Sequence, residues 1–237
     1  MEFYLGYVIC SIAILLAVII AMIAQVKVNG AFNKYKETLS SLDLTGEELA
    51  EKLSFENGVG VNIKLCNGTL TDHYDPKDKS INISQSNFYS KSIASQAIVA
   101  HEFGHALQDA EDYFPYKVRQ GVVKASNIIS KLLLPMILIG LLFELFFFAG
   151  VGNIIIYVYV GIYSIAVITN LVTLPVEYNA SSRAKKLLYQ MGCNTNEEVQ
   201  ATDQLLNAAA MTYVASLLVS VAYLARILFI LFASRRD

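Results

Sequence analysis

The chain has 237 residues, 55% of them apolar and only 16% charged, with a mean hydropathy of +0.47. Soluble domains carry about 45–50% apolar and about 25% charged residues, so the composition points to membrane segments and excludes disordered, collagen-like and disulfide-scaffold classes. A formal net charge of −2 and a pI near 5.9 exclude a general nucleic-acid binder, and the three scattered cysteines (Cys10, Cys66, Cys193) build neither a disulfide framework nor a CxxC metal site.

Residues 3–26 run for 24 positions without a charge, enough helix to cross a hydrocarbon core about 30 Å thick. Met1-Glu2 supplies no basic n-region, so this stretch reads as an uncleaved anchor rather than a signal peptide. About 100 residues of ordinary polarity follow. Thr45-Gly46-Glu47-Glu48 is a capping box that opens a helix through Leu53, and Asn57-Gly58 closes it. Val59, Val61, Ile63 and Leu65 alternate as a strand with one buried face, and Asn67-Gly68 predicts a hairpin turn. Leu70–Tyr74 is then the return strand, Asp75-Pro76-Lys77-Asp78 a second turn, and Ser80–Ser84 a third strand. A helix from about Ser90 to Ala110 follows.

From Leu132 to Val176 the only charged side chain is Glu144, and 45 residues make about two crossings. The break is expected at Gly150-Val151-Gly152-Asn153. Residues 176–190 read as a helix, Thr195-Asn196-Glu197-Glu198 caps another, and Asn207–Ala225 is again uncharged. Four spans are expected, near 3–26, 131–149, 153–174 and 207–231. Ten Lys and Arg residues flank them on one side (27, 34, 36, 117, 119, 124, 131, 183, 185, 186) against Arg235 and Arg236 on the other, which predicts that the ten are cytoplasmic.

His101-Glu102-Phe103-Gly104-His105 is HExxH. Residues four apart share one face of a helix, so both imidazoles can reach one ion at about 2.0–2.1 Å. Glu102 lies beside that ion, where a carboxylate can take a proton from water that the metal has acidified. The flanks Val99-Ala100 and Ala106-Leu107 are uncharged, as a half-buried ligand helix requires. A catalytic zinc needs a third protein ligand. The extended pattern HExxHxxGxxH fails, because Gln108 and Glu111 stand at its last two places. His73 lies in a strand-turn segment that suits a substrate-side or structural role. Asp109, Glu111 and Asp112 lie too far along the same helix. Glu177, in Leu174-Pro175-Val176-Glu177-Tyr178-Asn179-Ala180-Ser181, is the best candidate; two intervening spans return it to the membrane side of the HExxH helix.

Three further strings join that helix in order across nearly the whole chain: Leu70-Thr71-Asp72-His73-Tyr74-Asp75-Pro76, the string from Thr173 through Ser181 with Arg183-Ala184, and Ala208-Ala209-Ala210-Met211-Thr212-Tyr213-Val214-Ala215. Together they resemble the YugP-like family of membrane zinc metallopeptidases. The resemblance implies a gluzincin-type site, with His101, His105 and Glu177 as ligands of one Zn2+ per chain and Glu102 as general base. Gluzincins often carry an Asp shortly after the third ligand to steady a histidine; Asn179 stands nearest that place. The implied fold is a mainly α membrane protein with about four transmembrane helices and a small α+β zincin-like domain, a short antiparallel sheet plus the HExxH helix.

The expected divisions are an anchor (1–26), a catalytic region (27–130), a transmembrane hairpin (131–174), the third-ligand helix and its successor (175–206), and a last transmembrane helix with its tail (207–237). The expected protein is a multi-pass enzyme of a bacterial-type plasma membrane. It cleaves peptide or protein substrates, membrane proteins among them, at the cytoplasmic surface. Substrate is expected along the edge of the Ser80–Ser84 strand. Arg183 and His73 are candidates to meet the oxyanion, with a plain charge pair the competing fate of Arg183. The rival reading is a non-catalytic, zinc-stabilised scaffold or chaperone-like partner, which would have no use for Glu102. An intramembrane protease would need HExxH inside a span, and the uncharged run Ser92–Ala100 is too short for one.

Overall fold

The computed structural model describes residues 2–128, 131 and 151–233. In chain order the elements are α1 (Glu2–Tyr35), α2 (Gly46–Asn57), β1 (Asn62–Cys66), β2 (His73–Asp75), β3 (Ser80–Ser84), α3 (Gln85–Phe88), α4 (Ile93–Ala110), α5 (114–128), α6 (Val151–Gln190) and α7 (Asn196–Ala233). They form two compact units. One comprises Met1–Ile23, Val118–Leu174 and Tyr213–Asp237, the other Ala24–Lys117 and Pro175–Thr212.

The first unit holds the apolar parts of α1, α6 and α7, the three described helices long and apolar enough to cross a membrane. At 1.5 Å per residue these helices are about 51–60 Å long, well beyond the roughly 30 Å of a hydrocarbon core. The apolar stretches 3–26, 153–174 and 207–231 therefore lie inside longer helices rather than forming separate ones. The expected span at 131–149, with Glu144, falls outside the described residues apart from Lys131. The break expected at 150–153 is not a turn at its described positions, because 151–153 already belong to α6. Asn170 Nδ2 donates to Ser220 Oγ at 3.2 Å, and the Arg226 guanidinium lies over the rings of Tyr7 and Tyr223 at 5.7 and 5.6 Å.

In the second unit, both capping boxes form. Thr45 accepts from the Glu48 N–H while Glu48 accepts from the Thr45 N–H, and α2 ends at Gly58 in the left-handed region (φ 65°). Thr195 and Glu198 repeat the arrangement at the start of α7. Here the helices run on where the sequence suggested breaks. Pro175 sits inside α6, so the segment bearing Glu177 continues the preceding apolar helix instead of opening a new one. Proline lacks an N–H and its ring crowds the carbonyl four residues earlier, yet α6 continues past it to Gln190.

The sheet differs from the expected antiparallel meander. Its order is β1-β3-β2, with β1 parallel to β3 (Ile63 opposite Ile81) and β2 antiparallel to it (Tyr74 opposite Ile81). The second turn makes a hairpin, whereas the Asn67-Gly68 connection reverses the chain and skips one strand position. Six residues, 67–72, easily span the roughly 10 Å of two strand spacings. Asp72 accounts for the skip: Oδ1 accepts from the Ser84 N–H at 2.8 Å and Oδ2 from Asn87 Nδ2 at 2.8 Å, tying the start of β2 to the end of β3. Ser80–Ser84 is consequently the central strand, with Ser80, Ile81, Ile83 and Ser84 buried, and offers no edge to a substrate. Ile81 and Ile83 join Leu49 and Leu53 of α2, Ala97, Ala100 and Phe103 of α4, and Ala184 and Leu188 of α6 in one core.

Candidate metal centre

Helix α4 starts at Ser92, whose hydroxyl accepts from the Ser95 N–H at 3.2 Å. Its apolar stripe is buried under the sheet and α2, and this fixes which way the opposite turn, carrying His101 and His105, must face. Against that turn lies the second half of α6. Contact is possible because residue 104 is glycine: a Cβ there would sit 2.8 Å from the Ala180 carbonyl oxygen. No side chain tolerates such proximity to backbone, so Gly104 sets the spacing of the two helices.

That spacing delivers Glu177, 1% exposed, between the two imidazoles. Its Oε2 lies 3.2 Å from His101 Nε2 and 3.6 Å from His105 Nε2. Among the described residues these three form a His/His/Glu metal-binding cluster, with donor atoms within 4.8 Å of one another. A tetrahedral ion with bonds of 2.0–2.1 Å needs donors about 3.3 Å apart, so both the donor types and the separations suit zinc. Burial alone would raise the Glu177 pKa, but the adjacent His101 and His105 imidazoles overcome it and hold the carboxyl far below the usual range.

Each imidazole presents Nε2 to the cluster and has Nδ1 occupied on its far side. His101 Nδ1 is 3.2 Å from Ser181 Oγ, one helical turn after Glu177. His105 Nδ1 is 2.9 Å from Gln108 Oε1, and the Tyr116 ring stacks on His105 at 5.8 Å. Glu102 lies beside the cluster, where its Oε2 accepts the backbone N–H of Tyr74 on β2 at 2.9 Å. Burial pushes the Glu102 carboxyl above the usual carboxylate range, against the pull of His101 and His105. The Tyr74 hydroxyl donates to Asp109 Oδ2 at 3.0 Å, which clips the edge strand to α4.

The remaining expected site residues are placed differently. His73 is exposed, its Nδ1 2.9 Å from the Thr71 carbonyl oxygen, and it does not join the cluster. Arg183 grips Glu111 with both terminal nitrogens (2.8 and 2.7 Å) and donates Nε–H to Asn179 Oδ1 at 2.8 Å. Asn179 bonds Gln108 Nε2 at 2.9 Å and stands one residue behind the place expected of it. Gln108 holds His105 instead. The zinc-ligand patterns assign that glutamine no role, although its position three residues after His105, on the same helical face, is a usable signal. Nothing local announces the hydroxyl of Ser181 or the Tyr74 N–H as partners.

A family model described as "Putative neutral zinc metallopeptidase" matches residues 10–232. The chain is 38% identical over 215 residues to the Bacillus subtilis (strain 168) protein named "Putative membrane protease YugP", covering 90% of this chain and 92% of that one. No solved structure matches.

Proposed function

The chain belongs to this zinc metallopeptidase family, and on that premise we propose that it is a membrane-integrated, zinc-dependent endopeptidase cleaving proteins at the cytoplasmic membrane surface. His101, His105 and Glu177 hold the metal, and Glu102 is the general base. The observation that carries this reading is the convergence of two imidazole Nε2 atoms on one buried carboxylate oxygen, with a second carboxyl group, that of Glu102, alongside. A structural metal site would have no use for that last group. The cytoplasmic placement rests on the ten flanking Lys and Arg residues.

A zinc ion in this cluster would supply Lewis acidity toward a peptide carbonyl and acidify a water molecule. Glu102 takes the proton as that water's oxygen bonds to the carbonyl carbon. It then passes the proton to the departing amine nitrogen as the C–N bond breaks. The Tyr74 N–H holds the Glu102 carboxylate in place through this transfer. In an extended strand a residue's N–H and C=O share one edge, so the Tyr74 carbonyl faces the same side as Glu102. An extended substrate adding to the outer edge of β2 would donate an N–H to that carbonyl, setting its scissile bond beside the base.

Replacing Glu102 by Gln keeps the shape and removes the base. The variant should retain wild-type zinc content and lose about 10²–10⁴-fold in turnover of a quenched peptide library by the full chain in detergent. Undiminished turnover overturns the assignment.

A further inference from the structure

Resting on the zinc-site reading above, we infer that Gln108 is a positioning residue that presets His105 for metal, and that Asn179, Arg183 and Glu111 fix its orientation from the protein surface. Hydrogen-bond polarity sets that orientation. An amide side chain can turn over and exchange its oxygen for its nitrogen, so its orientation must come from its neighbours. Gln108 Nε2 faces two acceptors, the Val176 carbonyl oxygen and Asn179 Oδ1, each at 2.9 Å. A backbone carbonyl cannot donate, so the nitrogen stays on that side and Oε1 is turned to His105 Nδ1.

Asn179 is constrained in the same way. Its Oδ1 also accepts from Arg183 Nε at 2.8 Å, and a guanidinium has donors only. Arg183 in turn is held by its two-pronged pair with Glu111. Every link from Glu111 to His105 therefore has a single allowed direction. At the end of the chain Nδ1 must carry the proton, which leaves the Nε2 lone pair free for the metal.

His101 has no such constraint from Ser181, since a hydroxyl donates or accepts equally well. The two Nδ1 partners are thus unequal: Gln108 imposes a direction on His105, and Ser181 imposes none on His101.

The test is zinc affinity of the full-length protein in detergent, measured by chelator competition, with the visible spectrum of the cobalt-substituted protein reporting coordination geometry. Q108A should weaken zinc by about 10–100-fold and shift the cobalt bands, while S181A costs less than about threefold. Q108E should also weaken it, because its carboxylate would face the Val176 and Asn179 oxygens. Gln108 is fully buried, so a second variant is needed at the exposed end of the chain. E111Q should weaken zinc by about two- to fivefold alone and add nothing in the Q108A background, the signature of one coupled chain. Parental affinity in Q108A, a larger loss in S181A than in Q108A, or equal E111Q effects in both backgrounds would each overturn the inference. Failure of the peptidase reading would show separately, as hydrolysis independent of Glu102 with these affinities unchanged.

Discussion

The two units solve opposite problems with the same kind of helix. In the unit of Ala24–Lys117 and Pro175–Thr212, apolar side chains are buried and polar ones do the specifying: Leu49 and Leu53 are fully buried, and Asp72, Gln108 and Glu198 each organise several bonds. In the other unit many of the described apolar side chains are outside. Leu5, Ile9, Leu15 and Leu16 of α1 are all more than half exposed, as suits helices whose surroundings are hydrocarbon. The contrast shows that burial in protein is the force to look for in one unit, and length with uniform apolarity in the other.

That contrast can be broken by experiment. The largest effect should come from truncating Leu53, which is fully buried: L53A is expected to cost about 2–5 kcal/mol in detergent unfolding. L16A, at a side chain 55% exposed in the other unit, should stay within about 0.5 kcal/mol. Equal losses would mean that α1 packs as a soluble helix does.

Glu198 comes next. Its Oε1 accepts from the Ser41 N–H (2.7 Å), the Ser41 hydroxyl (2.6 Å) and Ser40 (3.1 Å), and its Oε2 from Thr195. Burial opposes ionisation, but the bonds from Ser41 and Thr195 prevail and pull its pKa down to about 2. A carboxyl with a depressed folded-state pKa stabilises fully above its unfolded value, and that stability is lost as pH falls through the folded one. E198Q should therefore cost about 2–4 kcal/mol at pH 7, and the gap from the parent should close between about pH 4.5 and 2 in pH-dependent unfolding. A gap independent of pH would remove the charge from the explanation.

G104A should follow, at about 1–3 kcal/mol, since forcing α4 from Ala180 outweighs the roughly 1 kcal/mol that alanine adds to helix propensity. Because the same movement pulls Glu177 from His101, zinc retention after dialysis should fall with stability. A further small effect belongs to the apolar unit. N170A removes the bond to Ser220 and should cost about 0.6 kcal/mol by unfolding in detergent, as interhelical bonds in lipid typically do.

Much of the site could be read locally. HExxH places two imidazoles by helical period alone, and both capping boxes formed because each needs only four consecutive residues. Reading failed where a residue's partner lay far along the chain. The Asn67-Gly68 turn was read for adjacency as well as for direction, yet a turn governs only direction; Asp72 chose the neighbour, through Ser84 and Asn87. Asn179 stood nearest the place of a residue that steadies a ligand histidine, but the side chain bonded to His105 is Gln108, three residues away on its own helix, with Asn179 bonded to that glutamine. The turn expected at 150–153 and the separate helix expected over 176–190 both give way to α6, which runs from Val151 to Gln190 through Pro175.

The sequence by itself determined the apolar stretches, the helix caps and the pair of histidines, since each depends on period, composition or contacts within four residues. Tertiary structure alone decided the central place of β3, the meeting of Glu177 with His101 and His105 across Gly104, and the bond direction from Glu111 to His105. These are contacts between segments up to 76 residues apart. Which groups meet at such distances depends on how closely two helices can approach and which acceptors are left for each donor. No local pattern encodes either one.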